Sequence, residues 1–470
     1  MIQIVIKVAT IVKKLVRVVL AKRYLISSLP YFSKWLILSG LIGVISGLGS
    51  VAFYAALRFS MFVFLKLIAA YQPPSPAGEG NFPGSPGFVD PLAIVVSVGL
   101  GALIAGYLIY TFAPEAEGHG SDEAIKAVHQ NPKGIKPISI VVKVIASALT
   151  IGSGGSGGRE GPTALISAGF ASVIARWLGL SDHDAKIAVA VGIGSGIGSI
   201  FRAPFGGALL AGDILYRKDF YFEPVLPGLI ASVIGYSIFG AFFGYRPIFE
   251  LSRSYTFTPY DLLWFSLLGV VCAIIGILYA KAFYGAITLS KLWPFDKRLR
   301  PAVGGVLVGV IAIIGFPQVL ATGYGWVQKA LYSGLSAEPL YIVLLLPFAR
   351  IVATSFSIGS GGSGGVFAPG IDIGAFTGLA FWRILSVLHV TAIPSGIFVA
   401  VGMMTTFGAI SRAPIAVSIM VAEMISSIYI IIPALLSLGV ALLIVSNFDV
   451  TIYKAQLDTQ AIAPQKVSLL

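Results

Sequence analysis

The string Ile-Gly-Ser-Gly-Gly-Ser-Gly-Gly occurs twice, at 151–158 and again at 358–365, and apolar sequence surrounds both copies. Backbone that lacks regular hydrogen bonding is not tolerated against lipid. Paired breaks of this kind therefore have to be enclosed by protein if the chain lives in a membrane. Composition says that it does. Charged residues make up 11% and hydrophobic residues 57% of 470, whereas a soluble protein carries roughly 25% charged residues. No charged coat can be made from so few, and the reading is an all-α polytopic membrane protein.

The repetition extends beyond the glycines. Lys143 and Arg350 stand 207 positions apart, the same offset as the two strings. Ala190–Asp213 aligns with Ala400–Glu423 at an offset of 210, pairing Arg202 with Arg412, Pro204 with Pro414 and Asp213 with Glu423. The chain reads as a first half-repeat over 31–220 and a second over 221–446, between a basic segment 1–30 and a tail 447–470. No cytoplasmic regulatory domain is expected in so short a tail. Transporters built from two related halves bind their substrate near the bilayer midplane, where interrupted helices meet.

Residues 1–34 hold seven basic residues and no acid. Lysines interrupt the apolar run and no small-residue cleavage site follows, which argues against a signal peptide. A basic helix lying on the cytoplasmic membrane surface fits better, and it places the N-terminus in the cytoplasm. The overall charge of +12 then reflects topology rather than nucleic-acid binding. Tyr31–Tyr71 is either one long tilted helix or two helices broken near Gly47-Leu48-Gly49. The acid-bearing loop 72–90 reads as an outer loop. Many of the later apolar stretches fall short of the ~20 residues that a perpendicular span requires, as broken helices do.

A helix N-terminus offers unpaired N–H donors and partial positive charge, and glycine lets several such donors converge. Gly-Gly-Arg-Glu-Gly-Pro at 157–162 and Gly-Gly-Val-Phe-Ala-Pro at 364–369 both read as a loop entering a helix start. Two such N-termini aimed at one point suit a monovalent anion that must bind and leave quickly. A nucleotide site is the competing reading of the glycines, but no strand pattern precedes them and no Gly-Lys-Ser/Thr follows. One cysteine and four histidines give no thiolate metal site and no zinc constellation. With no clustered catalytic groups, an enzyme is not expected, and neither a metal nor an organic cofactor is implied. Glu160 stands at one of the breaks. A carboxylate there competes with an anion and leaves when protonated, which makes Glu160 a gate; a salt bridge to Arg159 or Lys143 is the structural alternative.

These motifs resemble those of the CLC family of chloride channels and chloride/proton antiporters. Gly-Arg-Glu-Gly-Pro at 158–162 and Gly-Val-Phe-Ala-Pro at 365–369 carry the resemblance. It implies a CLC-like fold of two inverted-topology halves with tilted and broken helices, assembled as a homodimer in the cell (plasma or inner) membrane. It also implies transport of chloride gated by Glu160, as a chloride/proton antiporter or as a passive channel on the same fold. Gly158, Arg159 and Gly161, with the N–H groups of Val366 and Phe367 and the hydroxyl of Tyr453, would hold a bound chloride ion. Tyr453 also reads as an interfacial aromatic. Two positions depart from the family pattern. Where the family places a serine, this chain reads Glu117-Gly-His-Gly-Ser-Asp-Glu123, so that either His119 or Ser121 takes that position. Where antiporters commonly carry an inner glutamate, the alignment gives Ile214, with Asp213 one residue earlier. Isoleucine carries no proton, so coupling would need another route, through water, His119 or Asp213.

Overall fold

The computed structural model describes residues 29–252, 255–294 and 296–460. The basic segment 1–30 therefore lies almost wholly outside the described residues. Within them the chain forms sixteen α-helices and no sheet. The first eight are α1 (Tyr31–Met61, continued as a π-turn over Phe62–Ile68), α2 (Pro91–Phe112), α3 (Ser121–Gln130), α4 (Pro137–Gly152), α5 (Glu160–Leu178), α6 (Asp182–Phe201), α7 (Pro204–Asp213) and α8 (Val225–Phe243). The remainder are α9 (Asp261–Lys291), α10 (Arg300–Ile313), α11 (Tyr324–Ser333), α12 (Leu340–Gly359), α13 (Phe367–Val387), α14 (Ser395–Ile410), α15 (Pro414–Ile425) and α16 (Ile431–Asn447).

Among the described residues eight helical segments are long and apolar enough to cross a bilayer, and α4, α10, α14 and α15 are shorter apolar helices. Tyr31–Ile68 is one continuous segment, so the break considered at Gly47-Leu48-Gly49 does not form. Those glycines serve packing instead: a Cβ on Gly47 would stand 2.9 Å from the Gly235 carbonyl oxygen of α8, the close approach that small residues permit in membranes. Phe32, Leu67, Leu92, Trp177, Leu263 and Leu443 are all more than half exposed. Such a surface belongs against lipid. Proline supplies many of the helix starts, opening α2, α4, α7 and α15 at the first turn, where its missing N–H costs nothing.

The helix order repeats as eight and eight, α1–α8 and then α9–α16. Val225–Phe243 is thereby the counterpart of Ile431–Asn447. The boundary between halves falls within 244–260, not after 220 as read from the sequence. The alignment that set the earlier boundary ended at Asp213, and the apolar pattern beyond it carries no motif to extend the match. Polar pairs at the 207-residue offset are reciprocal. Ser147 Oγ meets Ser363 Oγ at 2.8 Å, and Ser156 Oγ meets Thr354 Oγ1 at 2.8 Å. Gly158 and Gly365, themselves counterparts, bond to each other in both directions: Gly158 N–H donates at 2.8 Å and Gly365 N–H at 2.6 Å. A residue paired with its own counterpart lies on the twofold axis of the repeat, which places this axis at the glycine breaks.

The chain crosses once in α1, turns through 72–90 and returns in α2. Segment 113–130 therefore lies on the face opposite loop 72–90. The tail joins that face, since Ala455 N–H donates to Asp122 Oδ1 at 3.1 Å and Arg217 N–H donates to the Leu457 carbonyl at 2.8 Å.

Candidate anion site

The glycine strings leave α4 and α12 and lead directly into the N-termini of α5 and α13. Both N-termini come together at the twofold axis. Into this point projects Glu160, fully buried. Its Oε1 accepts the Phe367 N–H at 2.6 Å, and the Ala368 N–H also faces it. Its Oε2 is buried with no hydrogen-bond partner. The carboxylate thus occupies a position built from helix N-terminal donors of the second half, where an anion of either kind is electrostatically favoured.

Glycine keeps the space around this carboxylate open. A Cβ on Gly158 would strike both oxygens of Glu160, and one on Gly365 would strike Oε1. A Cβ on Gly161 would meet the His119 carbonyl oxygen. The backbone donors at the carboxylate are its own N–H and those of Phe367 and Ala368, where the resemblance implies Val366 and Phe367. Val366 contributes its carbonyl instead, accepting the Tyr279 hydroxyl at 3.0 Å. Tyr279 and Tyr453 both lie within electrostatic reach of Glu160. Tyr453 is 1% exposed, with its ring centroid 5.8 Å from that of His119 and 6.2 Å from that of Phe407. It is a buried residue of the interior and not an interfacial aromatic.

Arg159 does not point where an anion-binding side chain would. Its guanidinium turns toward loop 72–90 and pairs with Glu79 Oε1 at 2.6 Å. The rings of Tyr54, Phe201 and Tyr324 surround it at 5.2, 5.8 and 5.0 Å. Burial alone raises the Glu79 carboxyl, but the Arg159 guanidinium, supported by Arg202 and the Tyr54 hydroxyl, outweighs it and holds Glu79 below its ordinary value. The salt bridge considered for Glu160 is absent, because Arg159 serves Glu79 and Lys143 donates to the Ala116 and Gly118 carbonyls at 3.0 and 2.7 Å. A cavity of about 420 Å³ opens on this face, lined by Arg58, Lys66, Glu79 and Arg159.

On the opposite face His119 and Ser121 both turn inward. They are 6% and 1% exposed, so the pathway side of this segment carries both candidates rather than one. Asp213 and Ile214 both have structural partners. Asp213 Oδ2 accepts the Ala416 N–H at 2.9 Å, which caps α15. Ile214 is fully buried, and its carbonyl accepts the Gln456 amide at 3.0 Å.

Two further residues of the site lie outside the sequence motifs. Glu79 is one of two acids in a long polar loop, and nothing local marks its partner. Asp372 is fully buried and pairs with Arg350 at 2.8 Å, in electrostatic reach of Glu160. A charged residue in apolar sequence is a detectable signal, and Asp372 could have been found that way. No group of three or more His, Cys, Asp or Glu that would hold a metal occurs among the described residues.

Comparison with known proteins sets this arrangement in a family. The model of the voltage gated chloride channel family matches residues 101–446. The chain belongs to the voltage-gated chloride channel family. Among relatives of this CLC chain, the uncharacterized protein MJ0305 of Methanocaldococcus jannaschii is 30% identical over 390 residues, covering 83% of this chain and 88% of that one. The H(+)/Cl(-) exchange transporter ClcA of Yersinia pseudotuberculosis serotype IB is 29% identical over 424 residues, covering 87% and 84%. A slow cyanobacterial Cl-/H+ antiporter superposes with a TM-score of 0.74 at 22% identity, covering 89% of this chain and 96% of that one. A CLC-type fluoride/proton antiporter gives 0.74 at 20% identity, covering 92% and 100%. At that identity the structures establish the fold, and the CLC fold is the one described above.

Proposed function

We propose that this protein moves chloride across a membrane in exchange for protons, with Glu160 as the gate. The observation that carries this reading is the hydrogen bond from Phe367 N–H to Glu160 Oε1, which seats a carboxylate among donors suited to an anion. When ionised, the side chain fills the site itself. When protonated it loses its attraction to the helix N-termini, leaves, and opens the donors to chloride. Carboxyl and halide thus alternate at one position, and a proton travels with the carboxyl.

The ClcA relative supports exchange as the mode of transport. The commitment of Asp213 to capping α15, with isoleucine at 214, favours the second reading of a passive anion channel, because a dedicated inner proton acceptor is missing there. On both readings chloride is the bound anion, Tyr453 and the N–H groups of Phe367 and Ala368 contact it, and no catalysis or cofactor is involved. The protein sits as a homodimer in the cell membrane with its N-terminus, His119 and the tail on the cytoplasmic face. The excess of basic residues in 1–34 supports that orientation.

Reversal potentials in reconstituted liposomes, with chloride and pH gradients varied separately, test both readings. Exchange predicts that a chloride gradient drives protons uphill and that Glu160→Gln abolishes proton movement while anion flux persists. A wild-type reversal potential that follows chloride alone establishes the channel. Proton coupling that survives in Glu160→Gln removes Glu160 as the gate.

A further inference from the structure

His119 stands where the face bearing the tail meets the site, and its hydrogen bonding fixes what each ring nitrogen does. Nε2 lies 3.2 Å from Asp122 Oδ2. The same carboxylate accepts the Ala455 N–H on Oδ1 at 3.1 Å, and the Tyr284 hydroxyl, which donates to the Ile452 carbonyl at 2.8 Å, lies 3.3 Å from Oδ2. Burial alone would raise the Asp122 carboxyl, but His119 and the Ala455 N–H outweigh it and hold it below its ordinary value; an ionised carboxylate only accepts, so Nε2 carries the hydrogen. In the neutral ring Nδ1 is then a bare lone pair. This nitrogen is buried and has no partner, and the neighbouring Ser121 hydroxyl is also buried and unpaired. Ser121 lies beside the Tyr453 hydroxyl, and the Tyr453 ring faces that of His119. Buried polar groups are satisfied in the great majority of cases. Two that are not, gathered next to a third polar group on the route to Glu160, mark a place for a ligand.

We propose that His119 binds an anion and a proton together, as a protonation-dependent ligand for a monovalent inorganic anion seated against Ser121 and Tyr453. With Nδ1 neutral, a lone pair faces the anion position and repels it. Taking one proton from water on the tail face forms an Nδ1–H bond, turns the same atom into a charged donor, and attracts the anion. When the anion departs the proton returns to water, with no other bond made or broken. Each partner strengthens the other by the same factor.

The charged and titratable groups around the ring are few. Asp122, one helical turn away on α3, lies 3.2 Å from Nε2. Lys143 of α4 is bound to the Gly118 carbonyl. Tyr284 of α9, with Lys454 of the tail 3.7 Å from its ring centroid, reaches the imidazole only through Asp122. Tyr453 of the tail is the remaining neighbour, and Glu160 of α5 lies within electrostatic reach of Tyr453.

The inference rests on the anion-transport reading, and the test separates the two. Chloride binding is measured by isothermal titration calorimetry on detergent-solubilised full-length protein carrying Glu160→Gln, which removes the titration of the gate. That protein should bind chloride about tenfold more tightly or better at pH 5.5 than at pH 8, because one linked proton allows at most tenfold per pH unit. Adding His119→Ser should reduce the change to less than twofold. Adding His119→Gln, whose amide donates at every pH, should leave tight binding at both. Absence of chloride binding in any of these proteins at either pH sinks the transport reading itself. Binding that is present but equally pH-dependent with and without His119, or independent of pH in the Glu160→Gln protein, overturns this proposal alone. Should His119→Ser not fold, the His119→Gln comparison decides.

Discussion

At the scale of single residues, the site depends on what two positions lack. The three atoms nearest a Cβ on Gly158 would all belong to the Glu160 carboxyl group, so that a methyl there competes with the gate and with nothing else so closely. Gly158→Ala should expel the carboxylate, raise chloride flux at neutral pH and uncouple proton movement. Unchanged flux in liposomes, from protein with the wild-type thermal melt, would show that Glu160 tolerates the displacement. Glu79 allows a second prediction, on stability. Its carboxyl is held below its ordinary value of 4.5 by Arg159 against the opposing effect of burial. The folded state therefore gains from its ionisation above that value, and the gain disappears as pH falls through the lowered one. Glu79→Gln should cost about 2 kcal/mol at pH 7, the size of a hydrogen bond to a charged group. The gap to wild type in detergent melts should close toward pH 4 and below. A gap independent of pH would mean that Glu79 contributes through packing rather than charge. This pairing was invisible in the sequence because it joins residues 79 and 159 through the fold, with no spacing rule to connect them.

The elements show which signals survive translation into structure. The glycine strings, the helix starts that follow them and the position of Glu160 are all legible, because each is a local backbone requirement written in local residue types. The break near Gly47 was left undecided, since packing glycines and breaking glycines look alike until a neighbouring helix is present. Asp213 was legible as an acid in the right region but not in its role, which the partner helix determines. It caps α15, and its counterpart Glu423 caps α7 by accepting the Phe205 and Gly206 N–H groups at 3.1 and 2.7 Å. Each half thus stabilises a helix start of the other. Asp213→Ala and Glu423→Ala should each cost about 1 kcal/mol. The two caps sit at opposite ends of the α7–α15 pair, so the double variant should cost the sum to within about 0.5 kcal/mol. The proton-to-chloride ratio of Asp213→Ala should equal that of wild type. A reduced ratio would return Asp213 to the proton pathway.

For the molecule as a whole, duplication supplies the frame and departures from it supply the chemistry. Counterparts at the 207-residue offset keep the same job where they hold the breaks together, as Ser147 and Ser156 do with Ser363 and Thr354. They differ at the centre, where Glu160 matches Phe367 and Arg159 matches Val366. One half provides the carboxylate, and the other the Phe367 and Ala368 N–H groups that meet it. The buried cations diverge as well. Lys143 donates to backbone carbonyls and contacts no acid. Arg350 donates to the carbonyls of Val319, Ala321 and Thr322 and is also neutralised by Asp372. At the position matching Asp372 the first half has Leu165. Asp372→Leu would make the halves alike, leaving Arg350 charged yet still held by three carbonyls. Asp372 stands within electrostatic reach of Glu160, and at an effective dielectric of about 20 removing such a charge is worth on the order of 1 kcal/mol to an anion, several-fold in affinity. The variant should fold and should bind chloride more tightly by about that factor, with slower turnover because release is harder. Affinity unchanged by calorimetry in a folded Asp372→Leu protein would show that the field at the site is set by the helix N-termini alone, and that the second half's ion pair only holds the segment 319–322 in place.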